Sequence, residues 1–176
     1  MAWFWRRPKL PADRRPPLEP EERVLAWAHV QPGEGTVVVT NRGLWLPGRE
    51  RRLGWHDINK ATWSGEELSV TPAARVEERE GYVVVADQPV ESYRLPDPGD
   101  VPHHVRVRVT GSVAYTAHYR LSSGGGVRIA ARRVSGVDGL TWTVRYDPGT
   151  DGGDTTVAAE TDRLVAAARR AVEPDT

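Results

Sequence analysis

Short hydrophobic runs separated by turn residues occupy most of the chain beyond residue 22. Turn residues recur about every 8–12 positions, as they do in antiparallel sandwiches and barrels. The runs with strand character cover residues 24–30, 35–41, 43–47, 52–58, 60–65, 67–72, 75–80, 81–87, 113–121, 127–134 and 140–147. We therefore predict an antiparallel sheet of at least seven strands, in which Trp45, Trp55 and Trp63 are largely buried.

The segment 101–110 has a pattern that fits either a helix or a strand. Valines four residues apart, at positions 101, 105 and 109, would share one face of a helix. Pro102 would then fall in the first turn, where proline is tolerated. Valine and arginine also alternate over 105–109, which is typical of a strand. We predict a helix over about 101–110.

A second helix is predicted near the end of the chain. It follows an N-cap at Asp154 or Thr155, continues to about Val172 and is ended by Pro174. The apolar stripe of this helix consists of Val157, Thr161, Leu164, Ala168 and Val172. We expect Leu164 to dock the helix on the sheet.

These elements divide the chain into three parts. Residues 1–21 are a lead-in rich in proline and arginine, without hydrophobic periodicity. Residues 22–111 form a β subdomain that ends in a helix. Residues 112–173 form a three-stranded meander followed by the C-terminal helix. We expect the last two parts to share one core.

The composition excludes several classes of site. The 176 residues include 24 Lys+Arg and 24 Asp+Glu, so the formal net charge is zero and gives no general attraction to nucleic acid. The absence of cysteine excludes disulfides, thiol nucleophiles and cysteine zinc sites. No apolar run approaches the roughly 18–20 residues of a membrane-spanning helix, and the N-terminus lacks the pattern of a secretory signal. We therefore expect a cytoplasmic protein.

Two stretches carry a resemblance to a known family. VVVTNRGLWLP (37–47) followed by RLGWHDINKATW (52–63) is similar to bacterial PH-like (pleckstrin-homology-like) domains, as in uncharacterised actinobacterial proteins of similar size. The resemblance implies an α+β, mostly β fold: a curved antiparallel sheet or partly open barrel, with a short internal helix and a C-terminal helix. It implies no particular activity, because such folds host many unrelated binding roles.

The resemblance also bears on lipid binding. Lipid-binding members of the family carry basic residues in the loop between their first two strands. The corresponding loop here, 31–35, contains Glu34 and no cation. Phosphoinositide binding in that manner is therefore not expected.

No catalytic motif stands out in the chain. A nucleophile elbow of the form G-x-S-x-G is absent from the sequence. His56 and Asp57 are adjacent, so on a strand their side chains would point to opposite faces. We predict a protein that is not an enzyme, and an enzyme with a site near His56 and Asp57 is the alternative.

Metal and cofactor sites are not expected either. His103 and His104 are adjacent, a spacing that suits neither a strand nor a helical zinc site with His118. The aspartates within 147–154 do not have the spacing of a calcium loop. The glycines of 122–126 lack the lysine and hydroxyl residue of a phosphate loop. We predict no bound metal and no small-molecule cofactor.

Arginines form a candidate basic surface beside two tryptophans. This surface consists of Arg42, Arg49, Arg51 and Arg52, and a second group, Arg128, Arg132 and Arg133, lies on a later predicted strand. Basic and aromatic residues on a sheet face can bind single-stranded nucleic acid. Because Glu50 interrupts the first group and the net charge is zero, we do not expect nucleic-acid binding.

The N-terminal segment is the most specific functional feature of the sequence. It consists of Trp3, Phe4, Trp5, Arg6 and Arg7. Tryptophan favours the membrane interface, and arginine is attracted to anionic lipid. We predict that this segment contacts a partner or the anionic inner face of the plasma membrane. Two other interpretations remain open: it folds back into the core, or it is a disordered tail.

Taken together, these features predict a non-enzymatic PH-like binding or scaffold module. Its protein partner is unknown.

Overall fold

The protein is mostly β. A computed structural model describes residues 8–174, with 41% of residues in strands and 21% in helices. The described residues form eleven strands, one short internal helix and one C-terminal helix. The sheet is curled. The predicted class, a mostly β fold with a curved sheet, a short internal helix and a C-terminal helix, is confirmed.

The chain divides into two compact units. The first consists of residues 8–72 and 89–110, and the second of residues 73–88 and 111–174. Residues 73–88, which the sequence analysis assigned to the first subdomain, therefore belong with the C-terminal strands. Each unit has its own cluster of buried apolar residues.

The first unit contains two sets of antiparallel strands. Strands β1 to β4 pair in sequence order. In the second set, β5 and β8 both pair with the first half of β6. The strands of this unit are β1 (Val24–His29), β2 (Thr36–Thr40), β3 (Gly43–Trp45), β4 (Leu53–Gly54), β5 (Ile58–Trp63), the first half of β6 (Glu67–Arg79) and β8 (Glu91–Arg94).

The internal helix α1 (Val101–Gly111) confirms the helical interpretation of this segment. Val101 and Val105 are 0% and 1% exposed and belong to the core of the first unit. Val107, which a strand would have grouped with Val105, is 50% exposed. The four-residue spacing of the valines therefore predicted the secondary structure of this segment correctly, whereas their alternation with arginine did not.

The three tryptophans of the predicted core differ in burial. Trp55 is 3% exposed, and its indole nitrogen donates to the carbonyl of Thr40 at 3.1 Å. Trp45 and Trp63 are less completely buried than Trp55, and Trp63 packs against the edge of the same core. Trp45 donates its indole N–H to Glu22, which draws one edge of the ring to a polar group.

Strand β6 is one strand of thirteen residues where two were predicted. Its first half pairs with β5 and β8, and its second half, from Ala73, pairs with β7 (Tyr82–Asp87). Pro72 lies where the neighbours change, a place where the missing N–H of proline is tolerated. The predicted break at Pro72 is therefore absent. The four-residue β8 was not predicted, because so short a run gives little pattern.

The second unit contains five strand segments. Their order is the second half of β6, then β7, β11, β10 and β9. The last three are β9 (Val113–Arg120), β10 (Gly126–Arg133) and β11 (Leu140–Tyr146). Gly81, with φ at 83°, makes the tight turn between β6 and β7. One pairing was not foreseen: β7 and β11 are parallel, with Val83 opposite Thr143.

The C-terminal helix α2 (Thr155–Val172) has the predicted bounds. Asp154 is its N-cap, because its carboxylate accepts hydrogen bonds from the backbone N–H of Thr156 and Val157 at 2.9 and 3.1 Å. The buried face carries Val157, Thr161, Val165 and Ala168. Leu164, the expected docking residue, is only half-buried beside this core.

The described part of the lead-in contacts the β1–β4 strands. The indole nitrogen of Trp27 donates to the carbonyl of Pro8 at 3.1 Å. Arg14 donates to the carbonyl of Glu34, in the loop between β1 and β2. A short 3-10 turn, Ala12–Arg14, interrupts the extended chain that the prolines predicted.

Candidate functional site

A groove of about 340 Å³ lies between β5 and α1 in the first unit. We call it the β5–α1 groove. It is lined by Ala61, Thr62, Trp63, Leu68, Pro102, His103, Val105 and Arg106.

Local structure on both sides fixes this groove. Among the described strands, β5 pairs only with β6. The turn after β5 is held by Ser64, whose hydroxyl accepts from the backbone N–H of Glu66 and Glu67. On the other side, α1 begins where the N–H of Val101 donates to the carbonyl of Pro98. The groove therefore lies between an edge strand and a helix that is anchored in the core.

The base of the groove is apolar and its rim is basic. Leu68 and Val105 are each 1% exposed, and Trp63 is half-buried. His103 and Arg106 are exposed, and no acidic residue is among those that line the groove. Such a site suits an extended chain that offers one apolar side chain and one carboxylate.

His56 and Asp57 are in contact, contrary to the sequence-based expectation. They lie in a 3-10 turn, Trp55–Asp57, and not on a strand, so their side chains do not point to opposite faces. Nε2 of His56 is 3.1 Å from Oδ2 of Asp57, and the two side chains are 28% and 45% exposed. The contact joins neighbours of one turn, and neither residue lines the β5–α1 groove.

The other histidines do not form a metal centre with the described residues. The rings of His103 and His104 meet edge to face, with centroids 5.7 Å apart. In the second unit, Nε2 of His118 lies 2.7 Å from Oδ2 of Asp147. Within residues 8–174, no group of three or more His, Asp or Glu side chains could hold a metal ion.

The candidate basic surface is largely neutralised by carboxylates. Arg42 pairs with Glu21 at 3.2 Å, and Arg49 pairs with Glu91 at 3.0 Å. Arg52 lies 2.6 Å from the carboxylate of Glu22. Arg51 is exposed. Paired guanidinium groups carry little net positive potential, which argues against nucleic-acid binding at this surface.

The N-terminal candidates, Trp3 to Arg7, lie outside the described residues. Within 8–174, no helix combines the length and the apolar character needed to cross a membrane. The loop between β1 and β2 carries Glu34, and Arg14 of the lead-in is bonded to it. The structure therefore places one lead-in cation beside the anion of this loop.

Sequence reasoning missed a polar network in the second unit. Arg79 donates to the hydroxyls of Tyr82 and Tyr146 at 3.2 and 2.8 Å. The Tyr82 hydroxyl donates to Asp162 at 2.5 Å, and the Tyr146 hydroxyl is 2.8 Å from that of Thr161. The network links β6, β7 and β11 to α2. Its one sequence signal was the pair of tyrosines in otherwise apolar strands, since a buried tyrosine hydroxyl needs a partner.

Burial and hydrogen bonding shift the ionisation of this network. Burial raises the pKa of Tyr82 to about 12, the nearby guanidinium of Arg79 opposes this, and Asp162 adds to it. Burial lowers the pKa of Arg79, but its hydrogen bonds to Tyr82, Glu77 and Tyr146 raise the pKa by more than burial lowers it, so the net shift is upward. A tyrosine held in its neutral form serves as a structural hydrogen-bonding group and is a poor general base.

Comparisons with protein-family models, with curated proteins and with solved structures find no match for this chain.

Proposed function

We propose that this chain is a non-enzymatic, PH-like binding module that acts as a scaffold for a protein partner. The β5–α1 groove is the observation that carries the proposal. The first unit also has antiparallel strands and an internal helix packed on their core, which are among the elements that the PH-like resemblance implies. This arrangement supports the resemblance carried by residues 37–63.

The partner that fits this groove is an extended, acidic segment of another protein. An edge strand such as β5 can pair with an added strand through its backbone. Leu68 and Trp63 offer an apolar floor for one side chain of that segment. Arg106 at the rim is complementary to a carboxylate, and charge complementarity at a rim favours the right partner.

Selection from a random peptide library, followed by titration of the selected peptides, tests this proposal. We expect the selected peptides to combine an apolar residue with nearby Asp or Glu. NMR amide shifts should change for Ala61–Trp63 and for the first turns of α1. Arg106→Glu should weaken binding severalfold, because it reverses the charge at the rim.

Arg108→Glu is the matched control, because it makes the same charge change on the same helix outside the groove lining. It should leave peptide affinity unchanged. Equal binding by both variants, or amide shifts confined to the second unit, would reject the groove as the partner site.

We also propose that the module acts in the cytoplasm, peripheral to the inner face of the plasma membrane. The support is the sequence of Trp3 to Arg7, with three aromatics beside two arginines. Flotation with anionic vesicles tests it: the full chain should float at low salt and be released at high salt. A chain that lacks residues 1–7 should float less.

The alternative function is an enzyme with a site near His56 and Asp57. The 3.1 Å contact between these residues is the observation that favours it. Both side chains are partly exposed and belong to one turn, whereas catalytic sites need several groups that converge on a cavity. Screening for enzymatic activity, with wild type and His56→Ala side by side, tests this alternative. An activity that wild type has and His56→Ala lacks would support it.

A further inference from the structure

A second groove in the first unit lies between the lead-in and β1. It has a volume of about 510 Å³. We call it the lead-in groove. Its apolar residues include Leu10 from the lead-in and Leu25, Ala26 and Trp27 from β1. The hydrogen bond from Trp27 to the carbonyl of Pro8 holds the two walls together.

Cations dominate the rim of the lead-in groove. Lys9, Arg15 and Arg23 line it and are exposed. Unlike Arg42, Arg49 and Arg52, these three take part in no salt bridge among residues 8–174. An apolar floor with an uncompensated cationic rim is complementary to an anionic amphiphilic surface.

Two acidic residues also line this groove, and one of them is already neutralised. The buried carboxylate of Glu22 accepts hydrogen bonds from four donors, including the guanidinium of Arg52. Asp100, at the start of α1, is the other. Three cations therefore face one uncommitted carboxylate.

We propose that the lead-in groove and its rim form the face of this protein that contacts an anionic lipid bilayer. Lys9, Arg15 and Arg23 would meet the lipid headgroups, and the apolar residues Leu10 and Leu25 would line the groove between them. This inference rests on the proposed membrane association and names the surface responsible for it. By sequence, Arg6 and Arg7 directly precede Pro8, which lines the groove, so the same cationic character continues into the N-terminal segment.

The bilayer fits this surface better than an added peptide strand does. The pairing of β1 with β2 shifts register between Val24 and Ala26, so Leu25 is the extra residue of a bulge. A bulge disrupts the regular row of backbone groups that an added strand would need. The surface also differs from the loop between β1 and β2, which offers Glu34 in place of cations.

Vesicle binding by a charge-reversed variant tests whether the rim cations of the lead-in groove contribute to lipid binding. Arg15→Glu/Arg23→Glu should weaken binding to phosphatidylcholine–phosphatidylserine vesicles by roughly tenfold or more, since each surface arginine contributes substantially near anionic lipid. Arg120→Glu/Arg128→Glu makes the same charge change at exposed positions of the second unit and should leave binding unchanged. Thermal melting of both variants confirms that they fold.

Site-specific labelling tests which surface touches the lipid. Because the chain has no cysteine, Lys9→Cys and Arg128→Cys each provide a single attachment point for an environment-sensitive fluorophore. The Lys9 probe should shift to the blue when vesicles are added, and the Arg128 probe should not.

The outcomes separate this inference from the proposal on which it rests. If the wild-type chain does not bind anionic vesicles, membrane association itself fails, and this inference fails with it. If the wild type binds but the Arg15/Arg23 variant binds equally well and the Lys9 probe does not shift, only the assigned surface is wrong.

Discussion

Arg52 donates from Nη1 to Oε1 of Glu22 at 2.6 Å, and the Glu22 side chain is fully buried. The hydroxyl of Thr40, the indole of Trp45 and the backbone N–H of Glu19 complete its hydrogen bonding. One carboxylate thus joins the lead-in to β2, β3 and the residue before β4. A buried charge of this kind is tolerated only when its partners are all in place.

Glu22→Gln should destabilise the first unit by about 3 kcal/mol, because it leaves Arg52 without its buried counter-charge. The change would appear as a lower urea midpoint at pH 7. Glu21→Gln is the matched control at the neighbouring position. Glu21 forms only an exposed pair with Arg42, so its loss should cost less than about 1 kcal/mol. Similar losses in both variants would contradict the structural role of Glu22.

The same carboxylate predicts a loss of stability in acid. Burial raises the pKa of Glu22, but hydrogen bonds from Thr40, Glu19 and Trp45 and the charge of Arg52 outweigh it, so the pKa lies below its ordinary value of 4.5. A carboxyl with a depressed pKa stabilises the fold above its unfolded value and loses that contribution as the pH falls through its folded value. Unfolding free energies measured below pH 4.5 should decline more steeply for wild type than for Glu22→Gln.

The raised pKa of Tyr82 predicts a loss of folding stability at alkaline pH. Its folded pKa of about 12 lies above the ordinary value of 10.0, first because of burial. The contribution of neutral Tyr82 is fully present below pH 10 and is lost as the pH rises through 12. In Tyr82→Phe, tyrosinate absorbance should lack the component that titrates last, and the alkaline loss of stability should be smaller. An unchanged titration would contradict the burial of this hydroxyl.

Tryptophan replacements should separate the core of the first unit from its groove. Trp55→Ala removes a side chain that is 3% exposed and should cost about 3–5 kcal/mol. Trp63→Ala removes a half-buried ring that lines the β5–α1 groove and should cost clearly less. Chemical denaturation of the two variants, side by side, measures the difference.

The N-cap of α2 gives a test within the second unit. Asp154→Ala removes the acceptor for two backbone N–H groups and should reduce stability by about 1 kcal/mol. Asp151→Ala, three residues earlier, removes only a loop hydrogen bond to the N–H of Gly153 and is the matched control. Equal melting temperatures for the two variants would contradict the capping role.

Local patterns in the sequence predicted most elements, and long-range partners decided the rest. The spacing of Val101 and Val105 identified α1, and Asp154 with the apolar stripe identified α2. No local signal distinguished Glu22, a charged residue in a proline-rich stretch, from a solvated one, because its burial depends on partners 18 to 30 positions later. The parallel pairing of β7 with β11 likewise depends on a distant segment.

The two grooves also depend on long-range contacts that local sequence patterns did not reveal. Trp63 was expected in the core because hydrophobic character alone predicts burial, whereas its position on the edge strand β5 leaves it lining a surface groove. The residues of the lead-in groove come from two segments that carry no shared motif, so only the fold brings Lys9 and Arg23 to one rim.

The insertion of the β6–β7 hairpin into the first unit has a consequence for synthesis on the ribosome. Val83 pairs with Thr143, which is translated sixty residues later. At about 5–20 residues per second, β7 waits for several seconds before its neighbour β11 leaves the exit tunnel. During that interval β7 presents an unpaired edge that includes Val83, Val84 and Val85. Such an edge favours pairing with other exposed strands until β11 is made, and the last elements of the first unit, β8 and α1, emerge within the same interval.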